Sequence, residues 1–316
     1  MRIDMLKPIV TLLIVLSWSA SGLSRIAAQD EKPAPASAAS SATMVRAPLV
    51  QIPVDAVPLN PEKTIYLEKA QRRLLLRTKV CLREGVLEMF LCPKQTKEHE
   101  SILSWSGKAK IAHAGLLALG AKSGHPVRFE PDFSPPAGDI IDIFVNWTDE
   151  KGQPQRRPAQ QWIRHATFRY FEASLAKVPP GVTLGETEES LRYDDIDHKL
   201  LFFGTMKPGL KKEFLAMSSD KDYQQAVESL WAQGRFRELE ADFVFAGSFF
   251  QRREDGTEVY VAEAGSLVCV ANFADAMIDI NMQSTASNDA GLLFEPWTER
   301  IPPMGTDVLV EFVPRK

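Results

Sequence analysis

The chain has 316 residues, 45% of them hydrophobic, with 37 basic against 41 acidic residues and a formal net charge of −4. That length suits one large domain or two small ones. The acidic balance argues against nucleic-acid or anionic-lipid partners, which call for a basic face.

The first element is a targeting signal. Arg2 and Lys7 precede an apolar run, Ile9 to Leu16, and small residues follow, with Ile26 at −3 and Ala28 at −1 of a cleavage site after residue 28. Basic, apolar and small-residue regions in that order form a secretory signal peptide. The apolar core is about half the roughly twenty residues that span a bilayer, so a tethered anchor is the lesser alternative. No cysteine stands near the cleavage site to carry a lipid anchor, and nothing later is apolar enough to cross a membrane. The expected location is the periplasm or the exterior. Residues 29–62 hold six prolines and seven alanines, too few large apolar groups for a core, and read as a disordered Pro/Ala/Ser-rich leader. Val45 to Val57 is the one part that could instead dock as an extended strand.

From residue 63 to 316 the composition is that of one globular domain. Strand and helix patterns mix without βαβ alternation. The expected fold class is α+β, a mostly antiparallel sheet with hairpins and two or three packed helices. A hairpin turning at Glu84-Gly85 pairs Val80 with Met89 and Leu82 with Leu87 on an apolar face. A helix is expected over residues 108–119 with Ser106 as cap, and strands at 127–129 and 140–147. A second helix is expected near 161–175. Turns at Pro179-Pro180-Gly181 and Pro208-Gly209 bracket a weakly patterned stretch. A third helix runs over 222–233, capped by Ser219 or Asp220 and ended by Gly234. A second hairpin (243–250 with 259–262) and strands at 267–271 and 308–313 complete the series.

The run from Leu82 to Leu103 carries Leu87-Glu88, Cys92-Pro93 and Thr96-Lys97-Glu98-His99-Glu100-Ser101. With His113, Gly115, Leu116-Leu117 and Gly120 beyond it, this region resembles the YdjY-like domain family in its planctomycete-type exported versions. Phe245-Ala246-Gly247-Ser248, Gly265-Ser266-Leu267 and Ala276-Met277-Ile278-Asp279 resemble the same family. The likeness spans about two thirds of the chain in two blocks, with residues of about 165–238 as an insertion. It implies an exported domain and supplies no activity. A ferredoxin-like description that sometimes accompanies the family needs four thiolates. This chain has three cysteines: Cys81, Cys92 and Cys269.

Three groups could carry chemistry. Glu98 and Glu100 on one side of an extended segment could hold a divalent cation or act as acid and base. If the segment is a loop, Glu98, His99 and Glu100 could converge, and His113 could join them at a zinc-type site. Alternatively these polar groups pin the loop, and His113 is a satisfied core residue beside Leu116 and Leu117. Cys81 and Cys92, near Lys79 and Arg77, are candidate reactive thiols or simply packed ones. Oxidising export favours a disulfide between them, but the hairpin register sets them roughly 13 Å apart, beyond the roughly 7 Å that a bridge tolerates. No phosphate loop, nucleophile elbow or EF-hand occurs, and no cofactor is indicated. Asn146-Trp147-Thr148 reads as a chance sequon, and Asp194, Asp195 and Asp197 as a solvated loop. Two functions remain. One is an exported module binding an envelope protein or small ligand. The other is a metal-dependent or thiol-based enzyme centred on Lys97–Ser101.

Overall fold

The computed structural model describes residues 50–284 and 290–316. The expected signal peptide, residues 1–28, and the leader as far as residue 49 lie outside the described residues. The main strands in chain order are β1 (Val57–Pro58), β2 (Ile65–Glu68), β3 (Arg73–Val80), β4 (Met89–Pro93), β5 (Ser101–Trp105), β6 (Ile141–Thr148), β7 (Pro154–Pro158), β8 (Tyr170–Ser174), β9 (Arg192–Asp194), β10 (Lys199–Phe203), β11 (Val268–Cys269) and β12 (Asp307–Pro314). The helices are α1 (Ala109–Ala118), α2 (Pro208–Ala216) and α3 (Lys221–Gln233). The fold is α+β and mainly β, as the patterning suggests.

Nine strands form the principal sheet, in the order β11-β4-β5-β3-β12-β6-β7. β2 and then β1 continue from the same edge of β3 that carries β5: β2 pairs with residues 73–76 and β5 with residues 78–80. The leader reading therefore extends too far. Val57 and Pro58 pair with Leu67 and Tyr66, and the buried Asn60 side chain accepts from Thr64 N at 2.9 Å.

The expected hairpin at Glu84-Gly85 does not form. β5 stands between β3 and β4, antiparallel to the first (Val80↔Leu103) and parallel to the second (Leu91↔Leu103). The physical reason lies in burial. Every residue of β4 is buried, so its apolar alternation reports a strand inside a core rather than one with a solvent face, and it cannot name its neighbour. The parallel pair is joined by residues 94–100 alone, shorter than the dozen or so residues that usually make such a crossover.

One sheet face packs on α1. Gly115 lets the helix approach β3 closely: a Cβ there would stand 2.7 Å from Leu74 Cδ2. The opposite face carries a polar ladder across five strands. Glu68 on β2 pairs with Arg73 on β3, which reaches Glu311 on β12 at 3.0 Å. Glu311 also takes Asn146 of β6 at 2.9 Å and Arg156 of β7 at 2.9 Å. Asn146 is thus buried and fully engaged, which leaves its sequon inaccessible.

The segment read as an insertion builds a second apolar cluster. A three-stranded antiparallel sheet, β8-β10-β9, packs against α2 and α3 through Phe171, Leu200, Phe202, Phe214, Tyr223 and Leu230. α3 begins where Asp220 accepts from Tyr223 N at 2.9 Å and ends at Gly234. The helix expected over 161–175 is instead a 3₁₀ turn, a short strand at Ile163–His165 and β8. Aromatic and β-branched residues dominate there, and β8 alternates exposed and buried positions, a period of two. Pro208-Gly209, read as a turn, opens α2, with proline in the first turn where no N–H is needed. Asp194 closes its turn by accepting from the N–H groups of Ile196 and Asp197. The second hairpin is shorter than expected: Phe250–Arg252 pairs with Glu258–Tyr260, while Phe243–Val244 pairs with Asp279–Ile280.

Candidate functional site: a thiol pair beneath the 94–100 loop

The loop from β4 to β5 is held by its own side chains. Thr96 Oγ1 donates to Pro93 O at 2.5 Å. Gln95 has a left-handed backbone (φ 67), which turns successive N–H groups to one side. The Glu98 carboxylate accepts from the N–H of Gln95 and of Thr96, the latter at 2.9 Å. Burial works against the charge of Glu98, but the N–H groups of Gln95, Glu98 and Thr96 outweigh it and hold the carboxyl below its ordinary range. Lys97 spans the loop. Its Nζ lies 3.0 Å from Glu88 and 3.2 Å from Glu100, and 4.3 Å from the centre of the Phe273 ring. Its stem crosses Gly265 (φ 144), where a Cβ would meet Lys97 Cδ at 2.6 Å. His99 points outward, its side chain 76% exposed and 3.7 Å from Glu100.

His113 takes its contacts elsewhere. Its Nδ1 lies 2.8 Å from Tyr260 Oη, and its ring meets Phe245 edge-on. The Tyr260 hydroxyl donates its only hydrogen to Gly247 O at 2.8 Å, so Nδ1 of His113 carries the hydrogen between the two rings. Glu98 is held by the N–H groups of Gln95 and Thr96 and Glu100 by Lys97, while His99 faces outward, and among the described residues no group of three or more His, Cys, Asp or Glu is arranged to hold a metal ion.

Burial lowers the His113 pKa, partly offset by Gly247, and burial with Arg237 and Arg169 lowers that of His165. A depressed folded value means that the unfolded chain binds more protons as pH falls below about 6.5. Stability is therefore full above that pH and is lost as pH drops through the folded values. Between pH 7.5 and pH 5 these two histidines draw the denaturant midpoint down on acidification, while the Asp279 carboxyl, raised by burial, acts in the opposite sense. His113→Gln should flatten that fall without abolishing it, since His165 contributes too. An unchanged slope in the variant would contradict the assignment.

Beneath the loop lie the two cysteines that the hairpin register kept apart. That register fails because β5 intervenes and because the chain leaves β3 after Val80. Cys81 Sγ donates to Ser101 O at 3.0 Å, and Cys81 and Cys92 are each the largest electrostatic influence on the other. Both are free thiols. Cys92 is fully buried, and Cys81 is partly exposed. Cys81 is the largest influence on Cys92 and favours its ionised form. Burial opposes this, and the Lys97 N–H reinforces it, so the Cys92 thiol is held below its ordinary range. Cys92, with burial next, raises Cys81. Burial also raises Cys269, which packs among Met89, Ala276 and Phe273. The sequence marks both thiols but not the Ser101 carbonyl that Cys81 meets, nor Gly265 and Tyr260 as supports. An alternative strand order for a wholly apolar β4 was the one available signal.

The fold defines a class: an α+β domain, mainly β, built on a nine-stranded principal sheet. A family model described as the YdjY domain matches residues 65–172, so the chain carries a YdjY-like domain over that span. The match takes in Cys81, Cys92, the 94–100 loop and α1, and it stops inside β8, where the second cluster begins. No curated protein and no solved structure matches the chain. The second block of resemblance lies beyond the match but packs on it: Gly124 N donates to Phe245 O, and Val270 N donates to Glu88 O.

Proposed function

We propose that the protein is an exported thiol-based module whose working centre is a reversible Cys81–Cys92 dithiol. What supports this is two free cysteines, one buried and one partly exposed, on either side of the start of β5 under a pinned loop, with Cys81 Sγ on Ser101 O at 3.0 Å. The signal pattern of residues 1–28 supports export to the periplasm or beyond, where disulfides form and persist. Among the described residues no helix is long and apolar enough to cross a membrane. The test is a titration in glutathione buffers of graded potential, counting free thiols with a maleimide. The expected result is a single two-electron transition that consumes Cys81 and Cys92 together and spares Cys269. Independent oxidation of single cysteines would overturn the proposal.

A second reading, a binding module for an envelope protein or small ligand, is favoured by a different observation. A cleft of about 270 Å³ lies against β6 and β7, lined by Trp147, Gln155, Arg157, Gln161, Trp162 and Arg300. Aromatic walls with convergent guanidinium and amide groups suit a small polar ligand. Thiol blockade separates the two: binding in the cleft survives N-ethylmaleimide treatment, and the redox transition does not.

A further inference from the structure

We infer that the cleft against β6 and β7 takes a small monocarboxylate carried on a flat apolar body, which deepens the binding-module reading above and rests on it. Strand pairing builds one wall. Trp147 lies directly opposite Gln155, and Val145 opposite Arg157, so Trp147, Gln155 and Arg157 share one face of the sheet. β7 ends the strand order, which sets the cleft at a sheet edge. The other wall comes from the 3₁₀ turn that closes at Trp162 and from Arg300. Trp162 meets Trp147 with ring centres 5.2 Å apart. Trp297 N donates to Trp162 O at 2.8 Å, which brings residues 298–300 alongside.

The lining is rich in donors and poor in acceptors, and none of its residues is acidic. Trp162 is wholly buried, and its indole N–H has no partner within the protein. Buried donors are normally met by an acceptor, and a ligand oxygen in the cleft would supply one. Gln155 is spent: its Nε2 donates to Asp149 at 2.9 Å, and its Oε1 accepts from Arg157 at 3.3 Å. Asp149 itself closes the turn between β6 and β7, accepting from the N–H groups of Lys151 and Gln153. Arg300 is fixed in place. It donates to Gln161 O at 3.1 Å and to Glu238 at 2.6 Å, and it lies 3.3 Å from the centre of the Trp297 ring. Glu238 therefore balances Arg300. Arg157 donates only to neutral oxygens, Arg156 O at 3.0 Å and Gln155 Oε1, so its charge is the one left for a ligand. A single surplus charge selects a monoanion over a phosphate dianion, and a planar guanidinium fork matches a carboxylate. The volume of about 270 Å³ lies just under the range for drug-sized ligands, and the two indoles favour a flat apolar body.

The experiment titrates the full chain with benzoate and, separately, with benzamide, which has nearly the same shape and no charge. Calorimetry gives the affinities, and the indole N–H resonances give the place. Expected is benzoate binding about tenfold tighter than benzamide, with the Trp162 indole resonance shifted. Arg157→Gln, at an exposed side chain, should weaken benzoate about tenfold and leave benzamide unchanged. Benzamide binding as tightly as benzoate while the Trp162 resonance shifts would overturn the carboxylate class and leave the cleft reading standing. Benzoate affinity unmoved in Arg157→Gln would do the same. Binding of neither probe, or a shift confined to other indoles, would sink the cleft reading as well. The comparison of the two probes needs no variant, so a poorly folding substitution does not blunt the test.

Discussion

Alkylation of Cys92 by iodoacetamide at pH 7 should slow by about tenfold or more in Cys81→Ala. Cys81 is the largest single influence holding the Cys92 thiol below its ordinary range, so a larger share of Cys92 is ionised at pH 7 than of an ordinary cysteine. Without that influence the thiol returns toward its ordinary value near 8.5, and only a few per cent is ionised. The sign follows: the wild-type rate climbs through pH 7, and the variant rate climbs more than one unit higher. Removing Cys81 could also widen access to Cys92. The rate ratio between pH 7 and pH 10 cancels that effect, because both proteins are ionised at the upper pH. Peptide mapping assigns the adduct to Cys92. Superimposable pH profiles would mean that Cys81 does not set the ionisation of its neighbour.

The second large effect lies in the polar ladder. Glu311→Ala should lower unfolding stability by about 3 kcal/mol, read as a shift in the urea midpoint. Glu311 is 4% exposed and accepts from Arg73, Arg156 and Asn146 together. Its removal leaves the Arg73 guanidinium facing Glu68 alone on a mostly covered sheet face, and leaves the Asn146 amide with only Leu309 O. Half of Arg156 is solvent-exposed, so its share of the loss is screened. Glu311→Gln keeps an acceptor and should cost less than Glu311→Ala. Equal costs would place the effect in packing rather than in charge.

Local rules served where local physics decides. α3 was legible because Asp220, the apolar period and Gly234 agree on one answer. α1 and the long strands β6 and β12 were legible from period and burial. Strand pairing was not. Val80 and Met89 are both wholly apolar neighbours in sequence space, yet Leu103 lies between them in the sheet. Only the parallel crossover through residues 94–100 reveals that order, and such short crossovers are rare enough to be discounted from pattern alone. The helix expected at 161–175 failed because Trp162, Ile163, Tyr170 and Phe171 satisfy either period over short windows. The same blind spot hid the site. Cys81 and Cys92 were visible as thiols, and Lys97–Ser101 as an unusual polar run, but their convergence depends on β5 lying between β3 and β4.

The most direct test of the account is intact mass and non-reducing peptide mapping of the full chain after mild diamide treatment. The account requires a mass lower by about 2 Da, the two hydrogens lost on closing one disulfide, with the peptides containing Cys81 and Cys92 joined and Cys269 still a free thiol. An unchanged mass, or a linkage that draws in Cys269 or a second chain, would contradict it.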